Sequence, residues 1–156
     1  VGYIRIAEFN SIVKAKLEEA AVNLEKQGVN AYVLDVRGNP GGAFQSAVEI
    51  SSLFLDNRVA TYVLDSNQVE LAFKTASGRV VVDQEDPLVI WVDRHSASAS
   101  EVLTGSLHDN CRAIVMGENS FGKGLVQAVY GLKNGAGFVL TVAKYVTPRG
   151  TDIQGS

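Results

Sequence analysis

Leu88-Val89-Ile90-Trp91-Val92-Asp93-Arg94-His95-Ser96-Ala97-Ser98-Ala99-Ser100-Glu101 is the stretch on which the fold turns. Five apolar residues after Pro87 have the length and composition of a strand buried on both faces. A polar turn with small spacers follows. Helical periodicity then sets in from about Ser98 to Asn110, with Val102, Leu103, Ser106 and Leu107 on the inner side. The unit is strand, tight turn, helix.

The same unit recurs upstream. Ala31 to Val36 is a second short apolar run. Asp35-Val36-Arg37-Gly38-Asn39-Pro40-Gly41-Gly42 supplies turn residues, and a helix follows from about Phe44 to Leu55. Further upstream, Val1 to Ala7 predicts a strand. Asn10 or Ser11 can cap a helix whose apolar positions are Ile12, Val13, Leu17, Ala20, Ala21 and Leu24, with Gly28 as terminator. Downstream, Ala113 to Met116 predicts a strand. Alternation of strands and helices is the mark of the α/β class. Val59 to Leu64, Val69 to Lys74 and Arg79 to Val82 read as a meander of short strands at a sheet edge. Leu125 to Tyr130 and Phe138 to Ala143 read as a hairpin around Lys133-Asn134-Gly135-Ala136-Gly137.

Composition narrows the function classes. The 156 residues carry a net charge of −3 and no basic run, which argues against nucleic acid as a partner. One cysteine, Cys111, excludes an internal disulfide, and its place at a helix end reads as a structural thiol. Two histidines without zinc spacing imply no metal. The longest apolar run, Leu88 to Val92, is far shorter than the ~20 residues of a membrane helix. Val1 falls inside a strand-like run and Ser156 in a loop, so the chain reads as a piece of a longer protein.

The chemistry concentrates in two places. Ser96, Ser98 and Ser100 lie in the turn and helix start. Such a position offers free backbone N–H groups and the positive end of the helix dipole to a developing oxyanion. Ser98-Ala99-Ser100-Glu101 also fits a capping box, a purely structural role. The pattern does not choose among the three serines. Lys123 sits between Gly122 and Gly124, with Phe121, Leu125 and Val126 as apolar neighbours. Burial there would favour its neutral amine, the form a general base needs. A strand over 123–127 would put Lys123 and Gln127 on one face, so that Gln127 could hold the amine. His95 is the rival base, although it shares a loop with the serines. His108 reads as a surface residue. Glu101, Glu118 and Asp93 could pair as carboxylates, though their spacing does not require it. Gly41-Gly42 matches neither a phosphate loop nor a dinucleotide fingerprint.

Three stretches together carry a resemblance: 34–42, 93–101 and 117–127. They are similar, in this order, to the core motifs of the carboxyl-terminal processing, or tail-specific, serine peptidases, and the similarity runs from Gly2 to Pro148. It implies a Clp protease/crotonase-like α/β core of mixed sheet with packed helices. It also implies Ser98 as nucleophile, Lys123 as base, Gln127 as the residue that orients the lysine, and an oxyanion hole from the amides of Ala99 and Gly42. No cofactor or metal is implied. The partners implied are polypeptides with exposed C-terminal tails. The family places a PDZ domain before the core and more chain after it, so residues 1–156 read as the catalytic core alone. The 109–112 stretch and the tail resemble the plant and cyanobacterial branch, which implies action outside the cytosol, in the thylakoid lumen, with the bacterial periplasm as alternative. Two other readings stay open: a catalytically silent peptide-binding module, and a crotonase-like acyl-CoA enzyme sharing the two-amide oxyanion hole.

Overall fold

Strand direction divides the chain into two sheets. The computed structural model describes residues 1–155. β1 (Gly2–Arg5), β2 (Tyr32–Asp35), β5 (Leu88–Val92) and β6 (Ile114–Gly117) form one sheet in the order β1-β2-β5-β6, all parallel. β3 (Val59–Asp65), β4 (Glu70–Lys74), β7 (Leu125–Gly131) and β8 (Gly137–Val146) form the other, in the order β4-β3-β8-β7, all antiparallel. The expected α/β class holds. The parallel and antiparallel strands of the expected mixed core fall into two separate sheets. Hairpin connections such as the one between β7 and β8 can only make antiparallel neighbours, whereas the helical crossovers deliver parallel ones.

Three helices, α1 (Val13–Lys26), α2 (Phe44–Ser51) and α3 (Ala99–Asp109), pack into one core with the parallel sheet. Ile4, Leu34 and Ile90 supply the sheet side, while Leu17, Ala21, Ala47, Ile50, Val102, Leu103 and Leu107 supply the helix side. The opposite face of that sheet carries Tyr3, Arg5, Val33, Trp91 and Met116, which are exposed or half-buried. Asp35 is the exception on this face. It is fully buried between two hydrogen bonds from the Arg37 guanidinium (2.9 and 2.8 Å) and one from Tyr3 Oη (2.6 Å). Arg37 in turn lies over the Trp91 ring.

Local sequence explains most element ends. Asn10 Oδ1 accepts the Ile12 and Val13 amides at the start of α1, so Asn10 rather than Ser11 caps it. α2 ends at Ser51, earlier than Leu55, and 52–55 continue as tight turns closed by hydrogen bonds such as Leu53 N–H to Ile50 O. Residues 79–82 are not a strand. Val81 and Val82 both donate to Leu53 O, so this segment is tied to the end of α2 and not to a ladder. β8 runs on to Val146, past the expected Ala143, because it also pairs with β3.

Candidate active site

The two glycine- and serine-bearing turns meet at the C-terminal edge of the parallel sheet, the usual ligand edge of such sheets. Asn39 joins them. Its side chain donates to Ile6 O (2.8 Å) and accepts from Gly41 N–H (2.9 Å). Its carbonyl accepts from Ala97 N–H (3.0 Å) and Ser100 Oγ (2.9 Å). Gly41 has φ of 104°, and a side chain there would meet Ala97 O at 2.7 Å, Ser98 Cβ at 2.9 Å and Ala99 N at 3.0 Å. Only glycine permits that approach.

The three serines separate physically. Ser96 is buried and its Oγ donates to Val36 O (2.8 Å) while accepting from Asp93 N–H (3.0 Å). Ser100 is buried on Asn39 O. Both hydroxyls pin turns together. Ser98 alone is half-buried, with φ 54° and ψ −113°. A serine held at positive φ between strand and helix is the strained geometry that presents a hydroxyl outward. Ala99 N–H and Gly42 N–H donate to no protein acceptor among the described residues.

Glu101 closes the arrangement. It is buried, and its Oε2 accepts the Ser98 amide at 2.7 Å, the reverse half of the expected capping box. The same carboxylate takes Ser120 Oγ (2.7 Å), Gly122 N–H (2.6 Å) and Lys123 N–H (2.9 Å). One buried charge therefore ties the serine turn to the lysine loop. Sequence reasoning saw only the local capping partner. The long-range donors lie some twenty residues on and left no pattern, and Asn39 was missed for the same reason.

Lys123 does not sit as expected. It is exposed, and its ammonium makes no hydrogen bond or ion pair among the described residues. Phe121 is 64% exposed and Leu125 36%, so these two of the anticipated apolar walls face water, while Val126 packs against the core. β7 begins only at Leu125, after Lys123, and its register against β8 shifts between Val126 and Gln127. Gln127 is exposed too and does not bond Lys123. The backbone of the lysine loop is fixed by Glu101, while the Lys123 and Gln127 side chains are open to a ligand.

The remaining candidates fall away from the serines. His95 is exposed, its ring near Arg94 (3.4 Å), and it bonds no serine. His108 is an exposed partner of Asp109. Asp93 caps backbone amides of Gly38 and His95; burial opposes its ionised form, but these hydrogen bonds prevail and hold its carboxyl below the usual range. Glu118 is exposed and pairs with neither Asp93 nor Glu101. Cys111, read as a structural thiol, is not packed inside. It is exposed, and Arg149 Nη2 donates to its Sγ at 3.1 Å. No cluster of metal-ligating side chains occurs among the described residues.

Comparisons with known proteins bear on this geometry. The chain is 43% identical over 153 residues to the carboxyl-terminal-processing protease of Synechocystis sp., covering 98% of this chain and 35% of that protein. It is 42% identical to the chloroplastic carboxyl-terminal-processing peptidase 2 of Arabidopsis thaliana, covering 98% and 30%. Its structure matches that of a photosystem II D1 C-terminal processing protease with a TM-score of 0.91 at 43% identity, over 97% of this chain and 39% of that one. The chain thus spans about a third of the length of these relatives. The profile of peptidase family S41 covers residues 1–156, and the chain belongs to that family.

Proposed function

We propose that this chain is the peptidase core of a carboxyl-terminal processing enzyme that hydrolyses peptide bonds near the C-terminus of protein substrates. Ser98 Oγ attacks the scissile carbonyl carbon while the neutral amine of Lys123 takes its proton. The Ala99 and Gly42 amides hold the oxyanion. The C–N bond breaks, the leaving amine takes the proton, and water then hydrolyses the Ser98 ester. Gln127 orients the lysine amine during these transfers.

The observation that carries this reading is the shared carboxylate of Glu101, which fixes the backbones of Ser98 and Lys123 together beside two unpartnered amides. The open lysine fits a site that tightens around its substrate, since catalytic contacts in empty sites are often long. β7 is a sheet edge. An extended peptide paired along it would cover Lys123 and Gln127, and excluding water there favours the neutral amine. Main-chain pairing reads tails without demanding one sequence. The names of the plant relatives support action outside the cytosol. We favour the thylakoid lumen, with the bacterial periplasm as the alternative.

The test is a peptidase assay on the full-length protein beside its Ser98→Ala and Lys123→Ala variants. Both should remain folded and lose at least about 1,000-fold in kcat/KM. Substantial turnover by Lys123→Ala would end the lysine-base reading. Turnover by Ser98→Ala would end the serine one.

A further inference from the structure

The residues after β8 fold back onto the lysine loop. The Gly155 N–H donates to Gly122 O at 3.0 Å, and Gln154 Oε1 accepts the Gly124 N–H at 3.0 Å. Gly124 O accepts the Tyr145 N–H at 2.7 Å. From the other side, Glu101 receives the Gly122 and Lys123 amides. Residue 124 is glycine because of this strap: a Cβ there would lie 2.4 Å from Gln154 N and 2.9 Å from Ile153 C.

Peptide units are planar, so the direction of a side chain is set by the two planes that flank its Cα. The 122–123 plane carries the Lys123 N–H and is held by Glu101. The 123–124 plane carries the Gly124 N–H and is held by Gln154. With both planes fixed, the Cα–Cβ bond of Lys123 has one direction. Without the Gln154 acceptor, the second plane can rotate about the Lys123 ψ bond. Gln154 is exposed, and packing does not hold it in place. The strap is anchored separately, by buried Ile153, by the Lys144–Asp152 ion pair and by a β-bridge between Val146 and Asp152. Anchor and acceptor are thus different residues.

We infer that Gln154 is a positioning residue for Lys123, its side-chain oxygen holding the 123–124 peptide plane so that the lysine amine is aimed at the Ser98 hydroxyl. This rests on Lys123 being the general base. A misplacement of about 1 Å at such a group can lower the rate on the order of 100-fold.

The test uses the full-length protein and an internally quenched peptide ending in a free carboxylate. Gln154→Met keeps the side-chain length and replaces the acceptor oxygen with a methyl group. It should lower kcat about 10- to 100-fold, leave KM within about twofold, and keep the protein fully folded at the assay temperature, although the lost hydrogen bond lowers the thermal midpoint by roughly 2–4 °C. Gln154→Glu keeps an acceptor oxygen and should recover most of kcat. Unchanged kcat in Gln154→Met overturns the inference. So does a loss that follows the folded fraction, or one that Gln154→Glu does not restore. Lys123→Ala run alongside separates the two levels: if that variant turns over normally, the base assignment itself has failed, whatever Gln154 does.

Discussion

Ser98 and Lys123 donate their backbone amides to one oxygen, Glu101 Oε2, at 2.7 and 2.9 Å. The serine turn follows β5 of the parallel sheet and the lysine precedes β7 of the antiparallel one, so a single carboxylate spans the junction between them.

Glu101→Gln should therefore damage activity more than fold. An amide in place of the carboxylate has one oxygen, and its NH2 must face a donor. Charge-assisted hydrogen bonds are each worth about 1.5–3 kcal/mol. Expected are a fall in kcat of about 100-fold and a loss of about 2–3 kcal/mol in stability. Steady-state kinetics and urea unfolding would measure both. A variant with native kcat would show that Glu101 acts only as a helix cap.

The three serines should behave differently. Ser96→Ala and Ser100→Ala each remove a buried hydroxyl donor from a carbonyl that keeps a second partner, which costs about 1 kcal/mol, and Ser96→Ala also leaves the Asp93 N–H without its acceptor, for about 1–3 kcal/mol in all. Both should still be labelled by a serine-directed fluorophosphonate. Ser98→Ala should keep its stability or gain some, and lose labelling. Labelling that persists in Ser98→Ala would move the nucleophile elsewhere.

Gly41→Ala and Gly42→Ala test two different contacts. A methyl at 41 presses on Ser98 Cβ and Ala99 N, whereas one at 42 would stand 2.1 Å from Phe9 O. The first should give a folded protein with kcat reduced about 100-fold. The second forces apart a backbone bridge and should lower the thermal midpoint sharply. The reverse ranking would mean that Gly41 only fills space.

Stability should fall in acid. The Arg37 guanidinium is the main cause that holds the Asp35 carboxyl well below the usual carboxylate range; burial opposes it, while Tyr3 Oη and the Arg37 amide assist. The unfolded chain takes up this proton near pH 4, roughly, and the folded chain only lower. The contribution of Asp35 is thus complete above that pH and disappears as the pH falls through the folded value. Asp93, Asp109 and Asp152 are depressed as well and share the slope. Asp35→Asn should lower the thermal midpoint at pH 7 and make its decline in acid shallower. An unchanged slope would show that the other three carry it.

What the sequence disclosed was local. β5, the start of α3 and the glycine turn could be read because apolar runs, caps and turn residues act over a few positions. Residues 79–82 had strand composition, yet their amides went to Leu53 O, a choice made by tertiary contact. β7 starts at Leu125, as its apolar run indicates, so the conditional strand over 123–127 that would align Lys123 with Gln127 does not form. The choice of Ser98 over Ser96 and Ser100 needed the partners of the other two, Val36 O and Asn39 O, both distant in sequence. Asn39, Gln154 and the long-range half of the Glu101 role were silent because each works through groups far along the chain.

The strap at 152–155 gives the assembly of this edge an order in time. A ribosome delivers the serine turn first, the lysine next and Gln154 and Gly155 near the end of the segment. Until those two arrive, the Gly124 N–H has no acceptor and the Gly122 carbonyl no donor. If Ser98 and Lys123 act as proposed, a half-made chain would carry the serine before the lysine loop is held.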